Sequence, residues 1–291
     1  MTMFLDLRVQ SVGGGLATSP SFFAGTCLDD YRTILPTDML QAIRGRNVLI
    51  ATHGFNVDRA TGIQCLSEWG ELLGLTGQEA FVGVLWPGDS VWAHGLDYPE
   101  EPKIADEAGE LLAPFLDDLL AGVASVSFAS HSLGARVILQ TVSHMATKPR
   151  RMVIMAGAID DDCLSNEFSA AAAKTGEISV LASPRDVVLA AAFPGGNVLA
   201  GIVDQGHPWW CGALGRNGPA TPWPANFRAP FEIPDNWDYG HHHYLQFDPA
   251  SAEAISAPVD VPPDGTDLPA GGAEGWQEAW SSAFAASRFK G

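Results

Sequence analysis

One stretch has the residue types and spacing of a nucleophilic site: Ser130-His131-Ser132-Leu133-Gly134, set between the apolar run Ser125 to Ala129 (SVSFA) and the helical pattern LGARVILQTV. A serine on a tight turn from a buried strand into a helix has its hydroxyl thrust out of the sheet edge. The open N–H groups of the helix start lie beside it. Such a turn is crowded, so the residues two before and two after the serine must be small. Ser130 and Gly134 meet that condition, although serine stands where the G-x-S-x-G pattern has its first glycine. A bare S-x-S-x-G string carries little meaning; its place between this strand and this helix makes Ser132 the candidate nucleophile.

Attack on a carbonyl carbon builds charge on oxygen, which needs two donors aimed at it. The N–H of Leu133, next to the serine, is one candidate. His53-Gly54-Phe55-Asn56, directly after Asn47 to Thr52 (NVLIAT), offers the N–H of Phe55 as the other, with Gly54 allowing the turn that aims it. The structural alternative is a plain glycine turn with Asn56 capping a helix that begins near Asp58. A carboxylate able to orient an imidazole follows Glu177 to Ala182 (EISVLA) as Asp186 in Ser183-Pro184-Arg185-Asp186. Its rival is the run Asp160-Asp161-Asp162, part of which is expected to cap a helix beginning CLSNEF. A general base C-terminal to both leaves His207, His241, His242 and His243. His207 lies in a Trp/Pro segment, whereas Gly240 gives the other three a loop that can reach back to Ser132. Three successive histidines in an extended segment face alternate ways and form no H-x-x-x-H or H-E-x-x-H pattern, so neither a metal nor another cofactor is expected.

The elements that must position these residues alternate in type. Asn47 to Thr52, Ala80 to Trp86, Ser125 to Ala129, Arg151 to Ala156 and Glu177 to Ala182 are nearly continuous apolar runs, as strands covered on both faces require. Between them Asp58 to Leu73, Pro102 to Leu120, Leu133 to Met145 and Asp162 to Lys174 repeat apolar residues at three and four and are expected to be crossover helices. The pattern predicts an α/β sheet, mostly parallel, with helices on both faces. Phe4 to Gln10 (FLDLRVQ) alternates and is expected as an antiparallel edge strand. No helical period survives in the Gly/Pro/Trp-rich excursion at 194–235, read as a flap or pocket wall. A connector and a final amphipathic helix with Trp276, Trp280 and Phe284 on one face are expected over 248–291.

Of 291 residues, 34 are acidic and 16 basic, a net charge of −18 that argues against phosphate backbones as partners. With 46% apolar residues and nine Trp the chain is too hydrophobic to be a disordered polyanion, and its length suits one domain, 1–291. No run spans a bilayer and residues 1–15 lack a basic-then-apolar leader, so a cytoplasmic protein without membrane contact is expected. Cys27, Cys65, Cys163 and Cys211 form no C-x-x-C pair and are expected as buried thiols. Nothing in the sequence speaks to oligomeric state.

The chain order Ser132, Asp186, then a histidine near 241 is the Ser…Asp…His order of the α/β-hydrolase superfamily, which the sequence resembles. More narrowly it is similar to a bacterial serine-hydrolase and esterase group with an H-G-F-N oxyanion loop, a W-P-G-D-type segment after the next strand (Trp86-Pro87-Gly88-Asp89), an S-H-S-L-G elbow and a terminal G-H-x-x-Y-L. The resemblance spans Val48 to Leu245 and implies Ser132 as nucleophile, Asp186 as acid and His241 as base. His241 is the match because it follows Gly240 and precedes Tyr244 by three; His242 is the alternative. The implied activity is that of a carboxylesterase working on small or apolar acyl esters through an acyl-serine, with Phe55 and Leu133 as the oxyanion hole. Amide or thioester hydrolysis would use the same residues, and an inactive hydrolase scaffold that binds a ligand or partner is the reading from another class.

Overall fold

The computed structural model describes residues 1–10, 15–73, 75, 77–89, 101–190, 212–228, 232–233, 235, 239–241 and 244. The apolar runs become strands whose alternate side chains feed two cores. Val48 and Ile50 of β4 (Asn47–Thr52) enter one, and Leu49 and Ala51 the other. Phe81, Val82, Val84 and Leu85 of β5 (Glu79–Leu85) divide in the same way, as do Met152 to Met155 of β7 (Arg151–Met155). Each such side chain, taken fully out of water, contributes roughly 1.5–3 kcal/mol, which is why these strands read as uninterrupted apolar runs.

With β1 (Thr2–Arg8), β2 (Leu16–Gly25), β3 (Arg32–Thr33), β6 (Ser125–His131), β8 (Glu177–Leu181) and β9 (Phe227–Arg228), the described residues form a nine-stranded sheet. Its order is β3-β2-β1-β5-β4-β6-β7-β8-β9. Pairing is parallel from β1 through β9 and antiparallel only at β1/β2 and β2/β3. From β4 the chain steps one way to β5 and then returns past β4 to β6, so the strand order reverses there. In such sheets the crevice outside the strands' carboxyl ends at the reversal is where ligands bind.

Helices α1 (Pro36–Ile43), α3 (Glu101–Leu119), α4 (Gly134–His144) and α5 (Ser169–Lys174) cover one face. Helix α2 (Arg59–Leu72) covers the other with Ile63, Leu66 and Trp69. Asp58, and not Asn56, caps α2, accepting the Thr61 N–H at 2.8 Å. Lys174 Nζ donates to the carbonyls of Val142, Ser143 and Met145 at 2.8, 3.1 and 2.6 Å, placing a cation on the open end of α4.

Several expectations are corrected. The first strand is not at the edge: it spans Thr2–Arg8 and lies between β2 and β5, because LATSPSFFAG pairs along its outer side. Of the helix expected over 162–174 only Ser169–Lys174 is helical. Residues 161–168 form turns closed by bonds such as Asn166 N–H to Asp162 O at 3.0 Å, and Ser165 Oγ donates to the same carbonyl at 3.0 Å, a local bond that competes with a helical ladder. Within the 194–235 excursion, 212–228 holds a four-residue helix, α6 (Leu214–Asn217), and strand β9, which joins the sheet beside β8. Cys65 and Cys163 are buried free thiols, but Cys27 is exposed. Cys211, Trp209, Trp210, Trp237, and the connector and helix expected over 248–291 lie outside the described residues.

Candidate active site

Ser132 stands one residue past β6 with φ of +52°, a left-handed conformation that only a forced turn imposes on a serine. The turn is fixed from both sides: Ser132 N–H donates to Met155 O at 3.0 Å, and Ala135 N–H donates to Ser132 O at 3.1 Å. The requirement for small neighbours has a direct cause. A Cβ on Gly134 would lie 2.3 Å from the His53 carbonyl oxygen, and one on Gly54 would lie 2.7 Å from Ser132 Cβ. The starts of the two loops therefore touch, and glycine is what permits it.

The serine hydroxyl donates to His241 Nε2 at 2.9 Å, and His241 Nδ1 donates to Asp186 Oδ2 at 2.7 Å. This relay fixes the tautomer, with the proton on Nδ1 and a lone pair on Nε2 facing the hydroxyl. Asp186 is fully buried, and its other oxygen, Oδ1, accepts the Leu189 N–H at 2.9 Å at the start of the helical turn 187–190. A carboxylate held this way stays aimed at the imidazole. Its loop is pinned by Ser183 Oγ donating to Tyr239 O at 2.5 Å and by Arg216 Nη1 donating to the carbonyls of Pro184 and Asp186 at 2.7 and 3.0 Å. The residue inside the elbow also serves the base: His131 Nε2 donates to the backbone carbonyl of His241 at 2.8 Å, the two rings 4.9 Å apart. Tyr244 packs edge-on against Tyr239, and burial with the nearby Asp186 charge raises its phenol above the ordinary range.

The loop after β4 lies beside this relay. His53 is fully inaccessible, stacks on Trp86 and donates from Nδ1 to Gly54 O at 2.9 Å; burial, reinforced by the Arg8 charge, pulls its imidazole down to about 3. It is a neutral structural group. Asn56 takes φ of +57°, which asparagine tolerates, and its N–H donates to Gly88 O at 2.6 Å. Leu133 is the N-cap of α4 and directly follows Ser132, which puts its amide beside the serine.

Thus Ser132, Asp186 and His241 come together, with Phe55 and Leu133 on the two loops that meet at the serine. Of the rival aspartates, Asp161 accepts from Gly212 N–H and Asn217 Nδ2 at 3.2 and 3.3 Å, Asp162 accepts from Asn166 Nδ2 at 3.4 Å, and the backbone of Asp160 bridges to Ala213. His207, His242 and His243 lie outside the described residues. Among the described residues no group of three or more His, Cys, Asp or Glu side chains could hold a metal ion. No local sequence pattern marks the supports from Ser183 and Arg216, whereas His131 lies inside the elbow and Tyr239 beside Gly240.

A model of the family described as alpha/beta hydrolase of unknown function (DUF900) matches residues 32–205, more than half of the chain. The chain belongs to this family. The match includes the loop after β4, the elbow and Asp186, and ends before His241. Among curated proteins none matches. Among solved structures, the chain is similar to an extracellular alpha/beta-hydrolase from a Paenibacillus species, at 14% identity and a TM-score of 0.24, over 38% of this chain and 40% of that one. It is also similar to a Xanthomonas campestris protein assigned to the alpha/beta hydrolase superfamily, at 16% identity and a TM-score of 0.34, over 80% and 99% of the two chains. A third is esterase B from Lactobacillus rhamnosis, at 8% identity and a TM-score of 0.39, over 92% and 83%. As for membranes, no helix among the described residues is long and apolar enough to cross one.

Proposed function

We propose that this alpha/beta hydrolase is a serine hydrolase, a carboxylesterase that cleaves small or apolar acyl esters through an acyl-serine intermediate. The observation that carries the reading is the unbroken relay from Ser132 Oγ through His241 to a buried Asp186. His241 Nε2 takes the Ser132 proton as Oγ bonds to the carbonyl carbon, and the imidazolium is stabilised by Asp186. The carbonyl oxygen, now negative, meets the amides of Leu133 and Phe55. Collapse breaks the bond to the alkoxy group, which leaves with the proton from His241. Water, deprotonated by the same imidazole, then bonds to the acyl carbon; as the C–Oγ bond breaks the carboxylic acid leaves and the imidazolium returns the proton to Ser132 Oγ.

The test is hydrolysis of p-nitrophenyl butyrate by the wild type and by Ser132→Ala, with fluorophosphonate labelling mapped by mass spectrometry. Turnover that falls by at least about 10⁴-fold in the variant, with label on Ser132 in the wild type, is the expected result. An unlabelled, inert wild type would point to a binding scaffold instead.

A further inference from the structure

The loop that carries Phe55 is held from outside by an arginine on a strand with no other part in the site. Arg8 is the last residue of β1, and its side chain has no exposed surface. One terminal nitrogen, Nη1, is paired with Asp89, and the other, Nη2, donates to the carbonyl of Val57. Those acceptors lie on two different loops, after β5 and after β4. Two further bonds join the same loops: Trp86 Nε1 donates to His53 O at 2.9 Å, and Asn56 N–H donates to Gly88 O at 2.6 Å. Residues 53, 56 and 57 are therefore each fixed to an outside partner, with Phe55 between them.

Arg8 is itself held at both of its backbone groups. Its N–H donates to Asp6 Oδ1 at 2.9 Å, and its carbonyl accepts from Arg59 Nη2 at 3.2 Å. Asp6 in turn pairs with Arg59 Nε at 2.8 Å and accepts the Tyr31 hydroxyl at 3.0 Å. Two arginines and two aspartates thus share a cluster of balanced charge, buried except for the half-buried Arg59. Buried ion pairs of this kind rarely add net stability over apolar residues of the same size. What a guanidinium does supply is a rigid planar fork that reaches two acceptors in fixed directions, which a lysine cannot copy.

We infer that Arg8 is a positioning residue for oxyanion binding, clamping the loops after β4 and β5 together so that the Phe55 amide stays aimed at the carbonyl oxygen on Ser132. The inference rests on the hydrolase reading above. A clamp on a transition-state donor lowers kcat when it is lost and leaves ground-state binding nearly intact.

The experiment uses the full chain and three variants: Arg8→Lys, Arg8→Met, and Arg8→Met with Asp89→Leu, which removes both charges together. Far-UV circular dichroism and thermal melts establish folding. Kinetics with p-nitrophenyl butyrate are set beside inhibition by a trifluoromethyl ketone, whose serine adduct places a full oxyanion in the same donors. In the charge-free double variant kcat is expected to fall about 10²-fold with KM within about twofold, and ketone affinity to fall in parallel with kcat/KM. Arg8→Lys, which keeps the charge without the fork, is expected to lose kcat as well, and it decides the matter should the methionine variants fail to fold. Folded variants with undiminished kcat and ketone affinity, or an equal rise in KM that accounts for the loss, would overturn the clamp while leaving the hydrolase intact. An inert, unlabelled wild type would overturn both.

Discussion

Ser132 carries its φ of +52° at a cost of about 1–3 kcal/mol, met by the bonds to Met155 and Ala135 that hold the turn. Replacing it with glycine removes the hydroxyl and the strain together, while alanine removes only the hydroxyl. Ser132→Gly is therefore expected to be more stable than Ser132→Ala by about 1 kcal/mol in urea denaturation, although both are inactive. His53 gives a pH effect of definite sign. Its imidazole sits at about 3 in the folded chain against an ordinary 6.5, so between those values the unfolded chain binds a proton that the native one does not. The stability that neutral His53 confers is complete above 6.5 and is lost as pH falls toward 3, at about 1.4 kcal/mol per unit. In His53→Asn, which can still donate to Gly54 O but does not titrate, the slope of stability between about pH 4 and pH 6 should be shallower by that amount, measured by urea unfolding across the range. At this scale the sequence was most legible where chemistry is local. Ser132 and Asp186 each follow a recognisable strand, and His241 follows a glycine. Arg8 was invisible because its fork meets partners 81 and 49 residues away, and no local pattern announces them.

Among elements, the join between α4 and β4 bears most on the candidate site, because Ser132 and Leu133 directly precede α4 and His53 directly follows β4. A methyl group at Gly134 would meet His53 O at 2.3 Å and Thr52 Cγ2 at 2.9 Å, so the helix must back away from the strand. Gly134→Ala is expected to cost about 1–3 kcal/mol and to lower kcat more than KM changes, as the Leu133 amide and Ser132 move together. Gly122→Ala, whose nearest neighbour would be Arg44 Cγ at 3.9 Å, is the control that should do neither. Crossover helices were legible from their period where one face packs on the sheet, as in α3 and α4. The period over 162–174 misled because apolar Cys163, Leu164 and Phe168 are buried from turns rather than from a helix, with Ser165 Oγ bonded to the Asp162 carbonyl and Asn166 Nδ2 to the Asp162 carboxylate.

For the molecule as a whole, the alternation of strands and helices made the parallel sheet legible. What composition could not reveal is which strands stand outermost, since pairing is decided by partners far along the chain. LATSPSFFAG carries serines and a proline that suit a partly exposed strand, and only its register against β1 turns it into one. Among the described residues the sheet ends on each side with a strand of two residues, β3 and β9. Such short borders present few unpaired backbone groups to a strand from another molecule. Removing residues 1–25 takes away β1 and β2 and bares the flank of β5, seven consecutive buried residues. That shortened chain is expected to self-associate, read as high-mass species by size-exclusion chromatography with light scattering where the full chain gives none. The opening strands, remote from the serine in sequence, are thus also a guard against aggregation.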